Sequence, residues 1–327
     1  MTTINTTDGK CTPNDLGFTL IHEHLTFGFA GCELDNASFD RKKELRRAID
    51  NLKELKDLGV HSFVDPCPMD TGRDPVFAAE VADKSDMRII VATGLHTDVI
   101  GMPPYFQMMS VDDIAELYVR ELTDGIGTTG IRAGIIKTAT GGISGVTKTT
   151  DKVSSNEERC LRAAAKAHKA TGAPILCHND ETSPLGRETL DIFADEGVDF
   201  NRVLISHACG VGDMRYYFEI LERGAWLAFD RFGVETIASD KMRLASLFGL
   251  IAVGHDRIML SSDYVNCWVG RVTGGLDLIK ACPNWSQSHV MKNILPRLRE
   301  GGVADQAIQT MMVDNPRSYF GGIGATN

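Results

Sequence analysis

The amino-acid sequence predicts an α/β protein, a single closed (β/α)8 barrel over residues 1–327 with residues 1–15 as a short N-terminal extension. Three observations carry that expectation. Eight short apolar runs alternate with stretches of helical periodicity. Some of these runs lack polar alternation, and Met87–Thr93 is apolar apart from Arg88; strands of that kind are covered on both faces. No polar or proline-rich linker divides the chain. The competing topology is an open doubly wound sheet, since right-handed βαβ connections permit either. That fold would carry a glycine-rich turn after its first strand, and no GxGxxG occurs there.

Leu16–His24 reads as the first strand. Phe39–Leu58 is a helix, because Leu45, Ile49, Leu52 and Leu55 recur at helical spacing, and Gly59 ends it. Val60–Val64 is the second strand, closed by Asp65-Pro66-Cys67-Pro68. Alanine-rich Asp74–Ser85 is a helix and Met87–Thr93 the third strand. The loop Gly94–Ser110 is marked by Gly101, Pro103 and Pro104. A helix over Val111–Leu122 leads to the fourth strand, Gly130–Lys137, and Thr138–Thr150 is a loop rich in glycine and threonine. The alternation continues with a helix at Asn156–Thr171 and a strand at Ala173–His178. Pro184–Glu196 precedes strand six, Arg202–His207. Val211–Arg223 precedes strand seven, Ala225–Asp230, and Ser239–Val253 precedes strand eight, Arg257–Leu260. Helices over Ser286–Glu300 and Val303–Thr310 close the chain.

A net charge of -10 and a pI near 5.4 argue against a nucleic-acid partner, and no basic run occurs. Residues 1–10 are polar without a signal-peptide core, and no stretch is apolar enough to span a membrane. Eight cysteines without a close CxxC pair read as buried thiols. A cytoplasmic location is expected.

The candidate site begins at Ile21-His22-Glu23-His24. Residues two apart on a strand share a side, so His22 and His24 converge while Glu23 points away. Two imidazoles so held are half of a divalent-metal site. In a barrel every strand opens its C-terminal end on one face, where active sites lie. Lys137, His178, His207 and Asp263 fall at or just past such ends. His96, in the loop after strand three, could approach the same pocket. His168, His255 and His289 lie elsewhere, and His61 belongs to the opposite rim. Lys137 has two readings. Its amine could carry a carboxylate formed with carbon dioxide, an anionic group able to bridge two metals, and burial among cations favours the neutral amine that reacts. It could instead remain a cation that contacts an anionic substrate.

With these residues in view, the chain resembles the phosphotriesterase family of the amidohydrolase superfamily, and within it the phosphotriesterase-like lactonases. The resemblance runs from about Gly17 to Phe320. It rests on His22-x-His24, on Lys137 in Gly134-Ile135-Ile136-Lys137, and on His178 in Leu176-Cys177-His178. His207 in Ile205-Ser206-His207 and Asp263 in Ser261-Ser262-Asp263-Tyr264 complete the ligand positions. Asp230-Arg231-Phe232-Gly233 and Asn315-Pro316 with Tyr319-Phe320 match as well.

The resemblance implies a binuclear metal centre at the C-terminal face of the strands. His22, His24 and Asp263 would hold one ion, and His178 and His207 the other. Carboxylated Lys137 and a hydroxide would bridge them. Zinc suits these ligands, with cobalt, manganese or iron as alternatives. The bridging hydroxide would attack a lactone carbonyl, and Asp263 would orient it and pass its proton to the leaving alkoxide. Arg231 would stand near the substrate, its bland alternative being a rim ion pair with Asp230 or Glu235.

The family's usual tyrosine after strand three is missing, since none precedes Tyr105. His96 or Asp98 is expected to fill that space, with Tyr264 and Trp268 also facing the substrate. The expected activity is lactone hydrolysis, with N-acyl-homoserine lactones (quorum quenching) as a candidate substrate class. A phosphotriesterase (aryldialkylphosphatase), a sugar lactonase or another carboxyl-ester hydrolase would use the same centre. A non-catalytic binding protein on a barrel scaffold should lack some ligands, and none is missing. The resemblance also implies a homodimer.

Overall fold

The computed structural model describes residues 2–35, 39–143, 146–271 and 278–322. A hairpin opens it, β1 (Ile4–Thr6) paired antiparallel with β2 (Gly9–Cys11). The barrel strands follow: β3 (Thr19–Leu20), β4 (His24–Phe27), β5 (Ser62–Asp65), β6 (Arg88–Gly94), β7 (Ile135–Thr140), β8 (Ile175–Asn179), β9 (Val203–Ser206), β10 (Trp226–Phe229), β11 (Ile258–Leu260) and β12 (Val265–Trp268). Strands β3 and β5 to β11 pair in chain order around one eight-stranded sheet, every pairing parallel. An order that never reverses has no switch point, so the chain is wound as a barrel and not doubly wound.

The first strand of the sequence reading is divided. β3 stops at Leu20, and the chain resumes as β4, which pairs with β12. Between them the Glu23 N–H still donates to the Val64 carbonyl of β5 at 3.0 Å, while its neighbours bond elsewhere. The His22 N–H donates to Ser261 Oγ at 3.0 Å, and Glu23, fully buried, accepts from the N–H groups of Ser262 and Tyr264 at 2.7 and 2.9 Å. Side-chain acceptors here compete with the ladder and end it. The seam between first and last strands is closed at the mouth, where Asp263 N–H donates to the His22 carbonyl and His24 N–H to the Tyr264 carbonyl.

Helices cover the sheet: α1 (Arg41–Asp57), α2 (Pro75–Ser85), a single turn α3 (Pro104–Gln107), α4 (Val111–Thr123), α5 (Ser155–Thr171), α6 (Gly186–Asp195), α7 (Met214–Glu222) and α8 (Asp240–Ala252). Their starts are chemically specified. Asp40 accepts from the N–H groups of Lys42 and Lys43, Asp74 from that of Phe77, and Ser110 and Ser154 each form a capping box with an acid three residues on. The long C-terminal helix expected over Ser286–Glu300 is a π turn, Val290–Ile294, followed by α-helix Leu295–Glu300. Pro296 lacks an N–H and its ring would strike the carbonyl four residues back, so the preceding turn widens. The same device recurs at Thr310–Asp314 before Pro316.

Alternation along the strands sorts the core. Val64, Ile90, Ile135, Leu176, Leu204, Ala228 and Met259 fill the barrel interior, while Phe63, Ile89, Ile136, Ile175, Ile205 and Phe229 face the helices. Two residues beyond the interior set lie Lys137, His178, Ser206, Asp230 and Ser261, so the same periodicity carries polar groups into the mouth.

Candidate active site

Lys137 is the third residue of β7, not the end of a strand as the sequence suggested; the stretch before Ile135 is a loop. A side chain on Gly134 would strike the Asn5 carbonyl, so glycine lets this segment pack against β1. Lys137 is fully buried, and burial pushes its amine down to about 8. His207 follows an inward Ser206 and would point outward in an extended strand. Its backbone is left-handed, φ +59°, which returns the ring to the mouth; Asp263 is left-handed too, φ +53°. Non-glycine residues in this region are costly and mark places where side-chain aim matters.

The six ligand candidates line one cavity. Asp263 is its hub: Oδ1 lies 3.4 Å from His22 Nε2 and 3.2 Å from His24 Nε2, and Oδ2 lies 3.8 Å from His207 Nε2. The far nitrogens are anchored. Asp230 lies 2.8 Å from His22 Nδ1 and 3.1 Å from His207 Nδ1. His24 Nδ1 is the exception, since Asp65 Oδ1 lies 3.3 Å away but the nitrogen makes no hydrogen bond among the described residues. His178 Nε2 bonds the Gly142 carbonyl at 2.8 Å, which leaves Nδ1 as its free donor. Burial holds His22 down to about 3 and keeps His178 and His96 neutral. Burial opposes ionisation of Asp263, yet the facing His22 and His207 rings, the His24 hydrogen bond and Arg231 hold its carboxyl well below the usual range. His22 Nε2 is buried and has no hydrogen-bond partner among the described residues. Imidazoles gathered around an ionised carboxylate form a donor set that fits divalent metal ions.

The second tier of expected residues divides. His96 lines the cavity with its ring centroid 4.7 Å from that of His178, and Trp268 lines it edge-on to Phe27. Asp98 lies outside the lining: its carboxylate accepts from Ser154 Oγ at 3.0 Å and Asn156 Nδ2 at 2.9 Å, which ties the loop after β6 to the start of α5. Tyr264 lies outside it too, with its ring packed on Trp285 at 5.1 Å. Neither side chain is among those that line the cavity. Arg231 pairs with neither Asp230 nor Glu235. It is buried in the cavity wall, with Nε 3.0 Å from Asp263 Oδ2 and Nη1 3.0 Å from Glu181 Oε2.

Sequence reasoning missed Asp230, Asp65 and Glu181. Asp230 was within reach, since strand alternation from Ala228 turns it inward. Glu181 carried no such signal, lying three residues past His178 in a loop. Cys67 sits beside His24 and Asp65, their polar atoms all within 4.8 Å. Burial raises its thiol, so it remains protonated.

A barrel with this mouth defines a hydrolase scaffold whose groups can hold metal ions. The sequence profile of the Phosphotriesterase family matches residues 2–320, and the chain belongs to that family. It is 37% identical over 331 residues to a phosphotriesterase homology protein of Mycobacterium tuberculosis, covering 98% of each chain. It is 33% identical over 309 residues to an aryldialkylphosphatase of Saccharolobus solfataricus, covering 94% of this chain and 95% of that one. The fold superposes on a mutant of a PTE-like lactonase from Deinococcus radiodurans with a TM-score of 0.91 at 32% identity, covering 97% and 100% of the two chains.

Proposed function

We propose that this chain is a metal-dependent hydrolase that opens lactone rings, with N-acyl-homoserine lactones (quorum quenching) as the leading substrate class. One observation carries the reading: a single cavity joins the histidine and aspartate set at its base to an apolar wall of Phe27, Phe29, Ile143, Val146, Val265 and Trp268. Such a wall suits an acyl chain, and the base suits the carbonyl.

His22, His24 and Asp263 would hold one divalent ion and His178 and His207 a second, zinc being the best match to these donors. Lys137, carboxylated by carbon dioxide, would lie between them; its lowered amine pKa supplies the neutral nitrogen that attacks the carbon of carbon dioxide and then loses a proton. Bound there, the ions supply Lewis acidity, lowering the pKa of water and polarising an ester carbonyl. Asp263, held ionised, takes the proton of the attacking water and delivers it to the leaving alkoxide. Arg231 fixes Asp263 Oδ2. The burial of these side chains lowers the local dielectric, which strengthens each of these interactions.

A second reading is phosphotriester hydrolysis, favoured by the relative named aryldialkylphosphatase. A panel of acyl lactones against aryl dialkyl phosphates separates the two. Chelation should abolish either activity and metal addition restore it; rates indifferent to chelator overturn the metal-dependent reading. Homodimerisation is supported by Val99, Tyr105 and Met108, exposed in the segment after β6. Eight free cysteines, all buried except Cys32, support a reducing, cytoplasmic setting. Among the described residues no helix is long and apolar enough to cross a membrane.

A further inference from the structure

Glu181 lines the cavity but is absent from the donor set. Its side chain is fully buried between two arginines: Oε2 accepts from Arg231 Nη1 at 3.0 Å, and Oε1 from Arg243 Nη2 at 3.3 Å. Arg243, in α8, is fully buried as well, and its Nη1 donates to the Ala238 carbonyl at 2.6 Å. Asp240 follows, 3.7 Å from Arg243 and 2.7 Å from His289. Charges of opposite sign thus alternate inward from α8 to Asp263. Space for the carboxylate is made by Gly210, where any Cβ would overlap Glu181 Oε1.

We infer that Glu181 is a positioning residue for the hydrolytic centre: it holds the Arg231 guanidinium so that Nε meets Asp263 Oδ2 and Oδ1 stays turned to His22 and His24. This rests on the reading of the cavity as a hydrolytic site. The physical argument is charge balance in a dry wall. Without the Glu181 charge, Arg231 keeps only Asp263 and Arg243 only the more distant Asp240 as ion-pair partners among the described residues, and Arg231 must swing away or clamp Asp263 with both nitrogens. Either movement rotates the carboxylate that handles the proton. Glu181 itself touches neither substrate nor the reacting atoms.

The test uses full-length, metal-loaded Glu181→Gln and Glu181→Asp with Arg231→Ala and the double variant Glu181→Gln/Arg231→Ala. Glu181→Gln keeps shape and removes charge. We expect its kcat on the best lactone or triester to fall about tenfold or more, with KM and metal content little changed. Glu181→Asp should recover part of the loss, and the double variant should be no slower than Arg231→Ala alone, because both act through one contact. If Glu181→Gln does not fold, Glu181→Asp carries the comparison, and an unchanged kcat there overturns the proposal. So does a double variant slowed by the full product of the single effects. A crystal structure of the Glu181 variant gives a reading independent of turnover: Arg231 Nε alone still 3.0 Å from Asp263 Oδ2, with the carboxylate unrotated, rejects the positioning role. An inactive but metal-loaded wild type would instead remove the hydrolase reading and leave this geometric test standing.

Discussion

Asp230 grips His207 twice through one oxygen: Oδ1 accepts the backbone N–H at 2.8 Å and lies 3.1 Å from Nδ1. Its other oxygen lies 2.8 Å from His22 Nδ1. One buried carboxylate thereby fixes the tautomer of two rings assigned to different ions. Replacing it with asparagine, which has a single acceptor oxygen, should lower metal affinity or kcat/KM about 10- to 100-fold. Metal titration and steady-state rates on Asp230→Asn check this, and unaltered metal binding and turnover would show that the rings are oriented by other contacts.

Gly94 ends β6 opposite Lys137, with φ +129° and a Cβ direction that overlaps the Lys137 carbonyl. Gly94→Ala must therefore push β6 from β7 or strain the backbone. A loss of about 3 kcal/mol or more is expected in urea unfolding, accompanied by reduced metal content because Lys137 moves with its strand.

Stability should depend on pH through Glu157. Burial raises its carboxyl from 4.5 to about 7, against the Ser154 and Asp98 backbone hydrogen bonds that lower it. The folded protein thus keeps a proton that the unfolded chain has released. The sign is that of a raised pKa: this contribution is complete below pH 4.5 and fades as pH climbs to about 7. Urea midpoints should fall across that window in the wild type. In Glu157→Gln the fall should be smaller, and equal slopes would assign the dependence to other groups.

Trp268 stands in the apolar wall against Phe27, ring centroids 5.4 Å apart. Each buried methylene of an acyl chain contributes about 0.8 kcal/mol. Trp268→Ala should cost about tenfold in kcat/KM on a long-chain lactone and little on a short one. Equal losses across chain lengths would show that this wall does not grip the chain.

Asp98 serves a different end. With its carboxylate bonded to Ser154 and Asn156, Asp98→Ala should lower stability by about 1 kcal/mol and leave substrate preference unchanged. A changed preference among lactones would return Asp98 to the substrate side.

The barrel was legible because its strands are apolar and its helices periodic, and both signals are local. His178 was legible for the same reason, since strand alternation from Leu176 aims it inward. His207 was placed correctly on the chain, but its aim depends on a left-handed backbone that composition does not announce. Lys137 moved from the end of a strand to its middle because β7 begins at Ile135 and runs on to Thr140, while the stretch before it packs on β1. Asp98 was misplaced because a loop residue has no periodicity to orient it, and the contact that decided its place lies 56 residues away at Ser154. Glu181 was illegible for the same reason: its partners, Arg231 and Arg243, come from a strand end and a helix far along the chain.

The seam between β4 and β12 joins segments about 240 residues apart, as the Ser261–Glu23 bond does at a separation of 238. A nascent chain cannot bring His22 and His24 to Asp263 until nearly all of it has left the ribosome. Growing chains would therefore offer incomplete donor sets, and the proposed metal capture would belong to the final closing step, where it would favour the sealed barrel over any opened form.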